Sequence, residues 1–97
     1  MAHYLVEYVF TPDKRHLPVR PAHRDYLTDL QNTGRLVLSG PLGDDTGGLL
    51  VLRADSETEV RQLLEADPYH RAEALDEVRI RQWTPLFGYL AEHLEDR

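Results

Sequence analysis

His23 and Asp67 stand out among the residues of this chain that could move a proton. His23 lies three, four and seven residues before Tyr26, Leu27 and Leu30. On a helix it therefore shares their apolar stripe, which Ala22 also joins. Arg20 comes three residues earlier, and Pro21 between them fits the first position of a helix. That puts His23 in the first turn, where the partial positive charge of the helix end disfavours a protonated ring. A neutral imidazole facing inwards at such a place suits a general base. It equally suits a core histidine with a satisfied hydrogen bond, and spacing alone favours that plainer role. Asp67 follows Val60, Leu63 and Leu64 by seven, four and three residues and so extends the stripe of a second helix. A carboxylate at a helix C-terminus is opposed by the helix dipole, so its place needs a reason. One reason is local: Asp67-Pro68 is an N-cap and N1 pair for a following short turn. The two helices, read as running the same way over one sheet, leave the start of one far from the end of the other. His23 and Asp67 then meet only if the chain folds back after the second helix.

The other candidates are weaker. His3 falls on the second face of the first strand, where it would line a cavity between two copies. His16 sits in a loop rich in proline and charge and reads as solvated. His70 reads as a surface residue near the same pocket, and His93 as a packing or interface residue of the tail. No pair of residues has the His-x-x-x-His or Glu-x-x-His spacing of a helical metal site, so no metal or organic cofactor is called for. Asp44-Asp45 reads as a solvated loop tip. Gly43 and Gly47-Gly48 lie between two strands rather than before a helix, so they serve a hairpin and not a phosphate loop. No serine lies in a nucleophile elbow: Ser56 is a helix cap, and Ser39 stands alone before Gly40-Pro41. Trp83 ends a strand and would either floor a pocket or anchor that strand.

The elements that must position these residues follow from proline, glycine and the apolar periods. Residues 3–10 read as a strand and residues 12–19 as a loop. A helix begins at Pro21 and closes at Gly34, a good C′ residue. Strands follow over residues 35–39 and 49–53, joined by a hairpin loop over residues 42–48. Ser56-Glu57-Thr58-Glu59 is a capping box that opens the second helix, with Val60, Leu63 and Leu64 inward. Residues 69–74 form a short turn and residues 75–83 a fourth strand. Leu86, Tyr89, Leu90 and Leu94 then fall at helical spacing. The order β-α-β-β-α-β is that of a ferredoxin-like α+β sandwich with a C-terminal helical extension. Two helices cover one face of its sheet. The other face carries Leu5 and Val9 with His3 and Glu7, and the run Leu49-Leu50-Val51-Leu52 is apolar on both sides. A face open to water would alternate more strictly. It is therefore expected to pack on the sheet of a second copy, with the C-terminal helix as a rival cover.

Composition sets the outer bounds. A chain of 97 residues is one domain's worth of material. Eleven basic against 17 acidic residues leave a net charge of −6, which argues against binding nucleic acid through its phosphates. No apolar run reaches the roughly 18 residues that span a membrane. Glu7 interrupts any leader-like core near the start, so the expected location is the cytoplasm. With no cysteine there is no disulfide and no thiolate chemistry.

Taken in order, Arg20-x-x-His23, Tyr26-Leu27, Gly34, Gly40-Pro41, Asp67-Pro68-Tyr69 and Trp83 resemble the YCII-related (YciI-like) family over about residues 3–84. The resemblance implies a ferredoxin-like fold that dimerises through its sheets as a dimeric α/β barrel. It divides the chain into a domain over residues 1–84 and an extension over residues 85–97. It also implies a His-Asp pair in a cleft, carried here by His23 and Asp67, and so brings the two residues together. The chain departs from the family pattern at His70-Arg71-Ala72-Glu73-Ala74, where a small, glycine-containing segment is usual. It departs again at Gly47-Gly48-Leu49 and in its tail.

The function expected on these grounds is proton transfer on a small cyclic or aromatic substrate, by isomerisation, elimination or dehydrochlorination. His23 would be the acid or base, and Asp67 would orient it. Arg20 would hold an anionic substituent, and Tyr69 and Trp83 would wall the apolar part. The alternatives are a ligand-binding or accessory dimer domain without catalysis, and a structural module that binds a partner through its tail.

Overall fold

The computed structural model describes residues 1–94. The first strand, β1 (Ala2–Phe10), alternates cleanly: Tyr4, Val6, Tyr8 and Phe10 are buried on one face. A 3-10 turn (Leu17–Val19) leads into helix α1 (Arg20–Asn32). Gly34, at φ 78°, ends that helix as expected. Its N–H donates to the Gln31 carbonyl and that of Arg35 to the Leu30 carbonyl, which satisfies two of the helix's last carbonyls. Strands β2 (Leu36–Pro41) and β3 (Gly47–Ala54) follow as a hairpin. Helix α2 (Glu57–Glu65) starts where the Ser56 hydroxyl accepts from the Glu59 N–H. Helix α3 (Pro68–Arg71) and strand β4 (Leu75–Trp83) complete the domain.

The sheet order is β2-β3-β1-β4, and every neighbouring pair is antiparallel. This is the ferredoxin-like α+β arrangement. One face holds the core, in which Val6, Tyr8, Leu50 and Leu52 of the sheet pack with Leu30 of α1 and with Val60 and Leu64 of α2. Ala22 is exposed, so the inward stripe of α1 runs through His23, Tyr26, Leu27 and Leu30 instead. No helix among the described residues is long and apolar enough to cross a membrane.

Two expectations change in a way that matters for the site. β1 and β3 are antiparallel, and each feeds a helix that returns across the same face. The helices α1 and α2 therefore run in opposite directions, not the same one. The start of α1 and the end of α2 fall at the same end of the sheet. The hairpin loop is also shorter than residues 42–48. Gly47 and Gly48 are already in β3, paired with Val9 and Tyr8. A Cβ on Gly47 would collide with the Tyr8 carbonyl oxygen, so only glycine lets the two backbones come this close.

Among the described residues, the tail is helical only over the 3-10 turn Ala91–His93. Leu86, Phe87 and Tyr89 are 70%, 96% and 89% exposed, so they form no apolar stripe against the domain. Residues 95–97 of the expected extension lie outside the described residues.

Candidate active site

The dipeptide Asp67-Pro68 does both of the things its sequence allows. Its extended backbone caps α3, with Asp67 Oδ1 accepting from the Tyr69 N–H at 2.9 Å. Because α2 ends beside the start of α1, the same carboxylate also meets His23. Nδ1 of His23 lies 2.8 Å from Oδ1 and 2.9 Å from Oδ2. A further donor comes from β1, where the Tyr8 hydroxyl donates to Asp67 Oδ2 at 2.9 Å. Asp67 is 1% exposed, and His23 is buried at 9%. With Nδ1–H donating to the carboxylate, the neutral ring carries its lone pair on Nε2. That nitrogen is then the one able to take a proton from a ligand.

Aromatic rings hold the imidazole in place. Tyr69 stacks on His23 with centroids 3.8 Å apart and planes 11° from parallel. The Tyr69 hydroxyl accepts from Arg20 Nε at 3.0 Å, and Arg20 Nη2 donates to Asp45 Oδ1 at 2.9 Å. Arg20 is thus shared between a wall of the site and the hairpin loop. Its guanidinium holds the Asp45 carboxyl below the usual carboxylate range. His16 lies against this group. Its ring stacks on Phe10 at 3.8 Å, and its Nε2 is 3.8 Å from Asp45 Oδ2. Burial, then the charge of Arg20, push the His16 pKa down.

Of these residues, Tyr8, Phe10, Arg20, His23 and Tyr69 border a cleft of about 190 Å³ between α1 and the β2–β3 edge. Tyr8, His23 and Tyr69 line its inner side, Arg20 and Arg24 its α1 side, and Ser39, Gly40, Pro41, Gly48 and Leu49 its sheet side. The space suits a single small ring. A basic nitrogen, two arginines and apolar walls meet there. Among the described residues, no group of three or more His, Cys, Asp or Glu side chains could hold a metal ion.

The structure brings His23, Asp67, Arg20 and Tyr69 together, but not Trp83. Trp83 pairs with His3 at the far end of β1, is 41% exposed and does not border the cleft. Five residues of strand separate His3 from Tyr8, or about 17 Å. One residue of the cluster was read as solvated and is not: His16 is 2% exposed. Asp45 is exposed at the loop tip, as expected, but is also paired with Arg20. Tyr8, Ser39 and Arg24 are further cleft residues that the spacing did not single out. Tyr8 had a signal, since it lies on the buried face of β1 and carries a hydroxyl that must find a partner there. Arg24 had one too, because it lies one helical turn after Arg20. His70 and His93 lie outside the cleft.

Comparison with known proteins gives the chain's family and fold relatives. Over 61 residues the chain is 39% identical to the protein YjpA of Bacillus subtilis (strain 168), covering 63% of this chain and 71% of that one. It is 37% identical over 73 residues to the derivative of benzaldehyde biosynthesis cluster protein C of Emericella nidulans (strain FGSC A4), covering 64% of this chain and 71% of that one. Among solved structures, it resembles 5-chloro-2-hydroxyhydroquinone dehydrochlorinase of Burkholderia phenoliruptrix AC1100, in complex with 2,5-dihydroxybenzoquinone. The TM-score is 0.75 at 25% identity, over 84% of this chain and 92% of that one. The fold, though not the sequence, is shared with Rv0793 of Mycobacterium tuberculosis, at TM-score 0.58 and 14% identity over 91% of this chain and 97% of that one. Residues 2–84, which include every residue of the His23–Asp67 cluster, match the YCII-related domain, and the chain belongs to that family.

Proposed function

We propose that this YCII-related protein is a small enzyme that moves a proton on a hydroxylated or enolisable six-membered ring, by isomerisation, elimination or dehydrochlorination. The carrying observation is the His23 Nδ1–Asp67 contact, 2.8 Å long, at the wall of a ring-sized cleft. Asp67 orients the imidazole and stabilises its cation, and Nε2 is the base. The proton goes to Nε2 while its electron pair enters the ring system. The pair then either expels a chloride or recovers a proton at another ring atom. In both cases His23 ends the cycle by releasing its proton. Tyr69 and Tyr8 flank the ring, and Arg20 and Arg24 favour a substrate with an oxyanion or carboxylate. The likeness to a dehydrochlorinase holding a dihydroxybenzoquinone supports the substrate class. The proposal includes a homodimer formed through the helix-free sheet face.

The test is turnover of a panel of hydroxylated and chlorinated rings, including 5-chloro-2-hydroxyhydroquinone. It is followed by NMR in deuterated water and by chloride release. At least one ring should react or exchange, and His23→Ala should slow it by about 10²–10⁴-fold. Equal rates in wild type and variant would sink the catalytic reading. Tight binding without reaction would make the protein a ligand-binding domain.

A further inference from the structure

Among the described residues the Asp67 carboxylate accepts hydrogen bonds from three groups, of which one, His23, belongs to the proton-transfer pair. The Tyr69 N–H belongs to the cap of α3 and is fixed by the backbone. The Tyr8 hydroxyl is different. It comes from β1, one of the two inner strands, 59 residues away in sequence, and it reaches Oδ2, one of the oxygens that His23 Nδ1 also faces. Tyr8 is 1% exposed, so little solvent competes for its proton. Its backbone is pinned as well, because Gly47 packs directly on the Tyr8 carbonyl. A buried phenol this closely held is more than the packing of β1 demands. Phenylalanine would fill the same place.

We propose that Tyr8 is a positioning residue: its hydroxyl draws charge from Asp67 Oδ2 and so sets how strongly the carboxylate pulls on the His23 Nδ1 proton. This rests on the proton-transfer reading of the site. A carboxylate with an extra donor is a weaker acceptor for each of the others. With Tyr8 in place, Asp67 orients the imidazole without drawing its Nδ1 proton too far. Burial first, and then the Asp67 charge, hold the Tyr8 phenol far above its ordinary pKa, so it stays a donor throughout. The other groups that face this pair are Tyr69 of α3, with Arg20 behind it, and Tyr26 of α1. The Tyr26 hydroxyl is committed to the Leu63 carbonyl at 2.7 Å.

The inference is tested by the 1H and 15N resonances of the His23 Nδ1–H group in the full-length protein with labelled histidine. Tyr8→Phe should move the proton resonance downfield, because Asp67 then pulls harder. Replacing Tyr8 with 3,5-difluorotyrosine, a stronger donor, should move it upfield. Tyr26→Phe should leave it in place. If the resonance is the same with phenylalanine, tyrosine and difluorotyrosine at position 8, the inference is overturned. Should Tyr8→Phe fail to fold, the difluorotyrosine protein decides alone, since it keeps both the shape and the hydroxyl. Activity is not part of this readout. A His23→Ala protein with full turnover would therefore end the catalytic proposal and leave the resonance result standing.

Discussion

A carboxylate buried as deeply as Asp67 is tolerated only because both oxygens are answered. Oδ1 takes the Tyr69 N–H, Oδ2 takes the Tyr8 hydroxyl, and His23 Nδ1 faces both. Removing one partner from a buried pair of this kind typically costs about 3–5 kcal/mol, because the remaining group is stranded. His16 is the opposite case. It is buried, yet neither ring nitrogen makes a hydrogen bond. Its folded pKa lies below the free value of 6.5, through burial and then Arg20, with the Asp45 carboxylate pulling the other way. Below about that pH the unfolded chain therefore binds a proton that the folded chain does not. Stability from this residue is complete above pH 6.5 and declines as pH falls towards the folded value. The expected slope is at most about 1.4 kcal/mol per pH unit, the value for one proton. Urea titrations between pH 5 and 7 should show that His16→Phe flattens the decline. An unchanged slope would mean that His16 is protonated equally in both states. Nothing in the sequence pointed to its burial: a loop histidine between Arg15 and Leu17 belongs to no periodic stripe.

The site depends on the directions of whole elements. Because β1 and β3 are antiparallel, α1 begins where α2 ends, and α3 needs only one turn to present Asp67. The position of β1 against β3 also governs Tyr8, and Gly47 sets how close those strands lie. Gly47→Ala would force the Tyr8 carbonyl away and should destabilise the domain by about 1–3 kcal/mol, as overpacking does. Chemical denaturation measures that loss. The same variant should weaken ring binding, whereas an Ala at the exposed Gly43, with nothing within 4 Å, should affect neither. A Gly47→Ala protein as stable as wild type would show that the two strands separate at little cost. Most elements were legible in the residues: the Ser56 cap, the Gly34 terminator and the bounds of β4 fall where the sequence puts them. The direction of the helices was not, since the apolar period of a helix is the same whichever way it runs.

At the scale of the molecule, the helix-free sheet face is where the strand pattern predicts that a second copy packs. Its middle row sets Leu38 beside Val51, Val51 beside Leu5, and Leu5 beside Arg81. Leu38 and Leu49 remain 55% and 38% exposed. The neighbouring row carries Glu7 and Arg79, paired at 3.2 Å, so the face has an apolar half and a charged half. Joining two copies there would remove the apolar half from water at about 25 cal/mol per Å². Sedimentation at micromolar concentration should find a dimer, and Leu38→Glu should shift it to monomer with the fold kept. A wild-type monomer would count against the sheet-face interface.

By itself the sequence determined the kinds of element up to Trp83, most of their ends, most of each buried face, and the separate helix-end positions of His23 and Asp67. Those properties depend on near neighbours: the period of apolar residues, a cap, a terminating glycine. Whether two residues 44 apart touch depends on strand direction and sheet order. The same holds for the partners from β1 and the hairpin. Tertiary structure alone joined Tyr8, Asp45 and His16 to the cluster and left Trp83 at the other end of the sheet. Such contacts arise where distant segments cross, and no local pattern in the chain encodes which atoms will meet there.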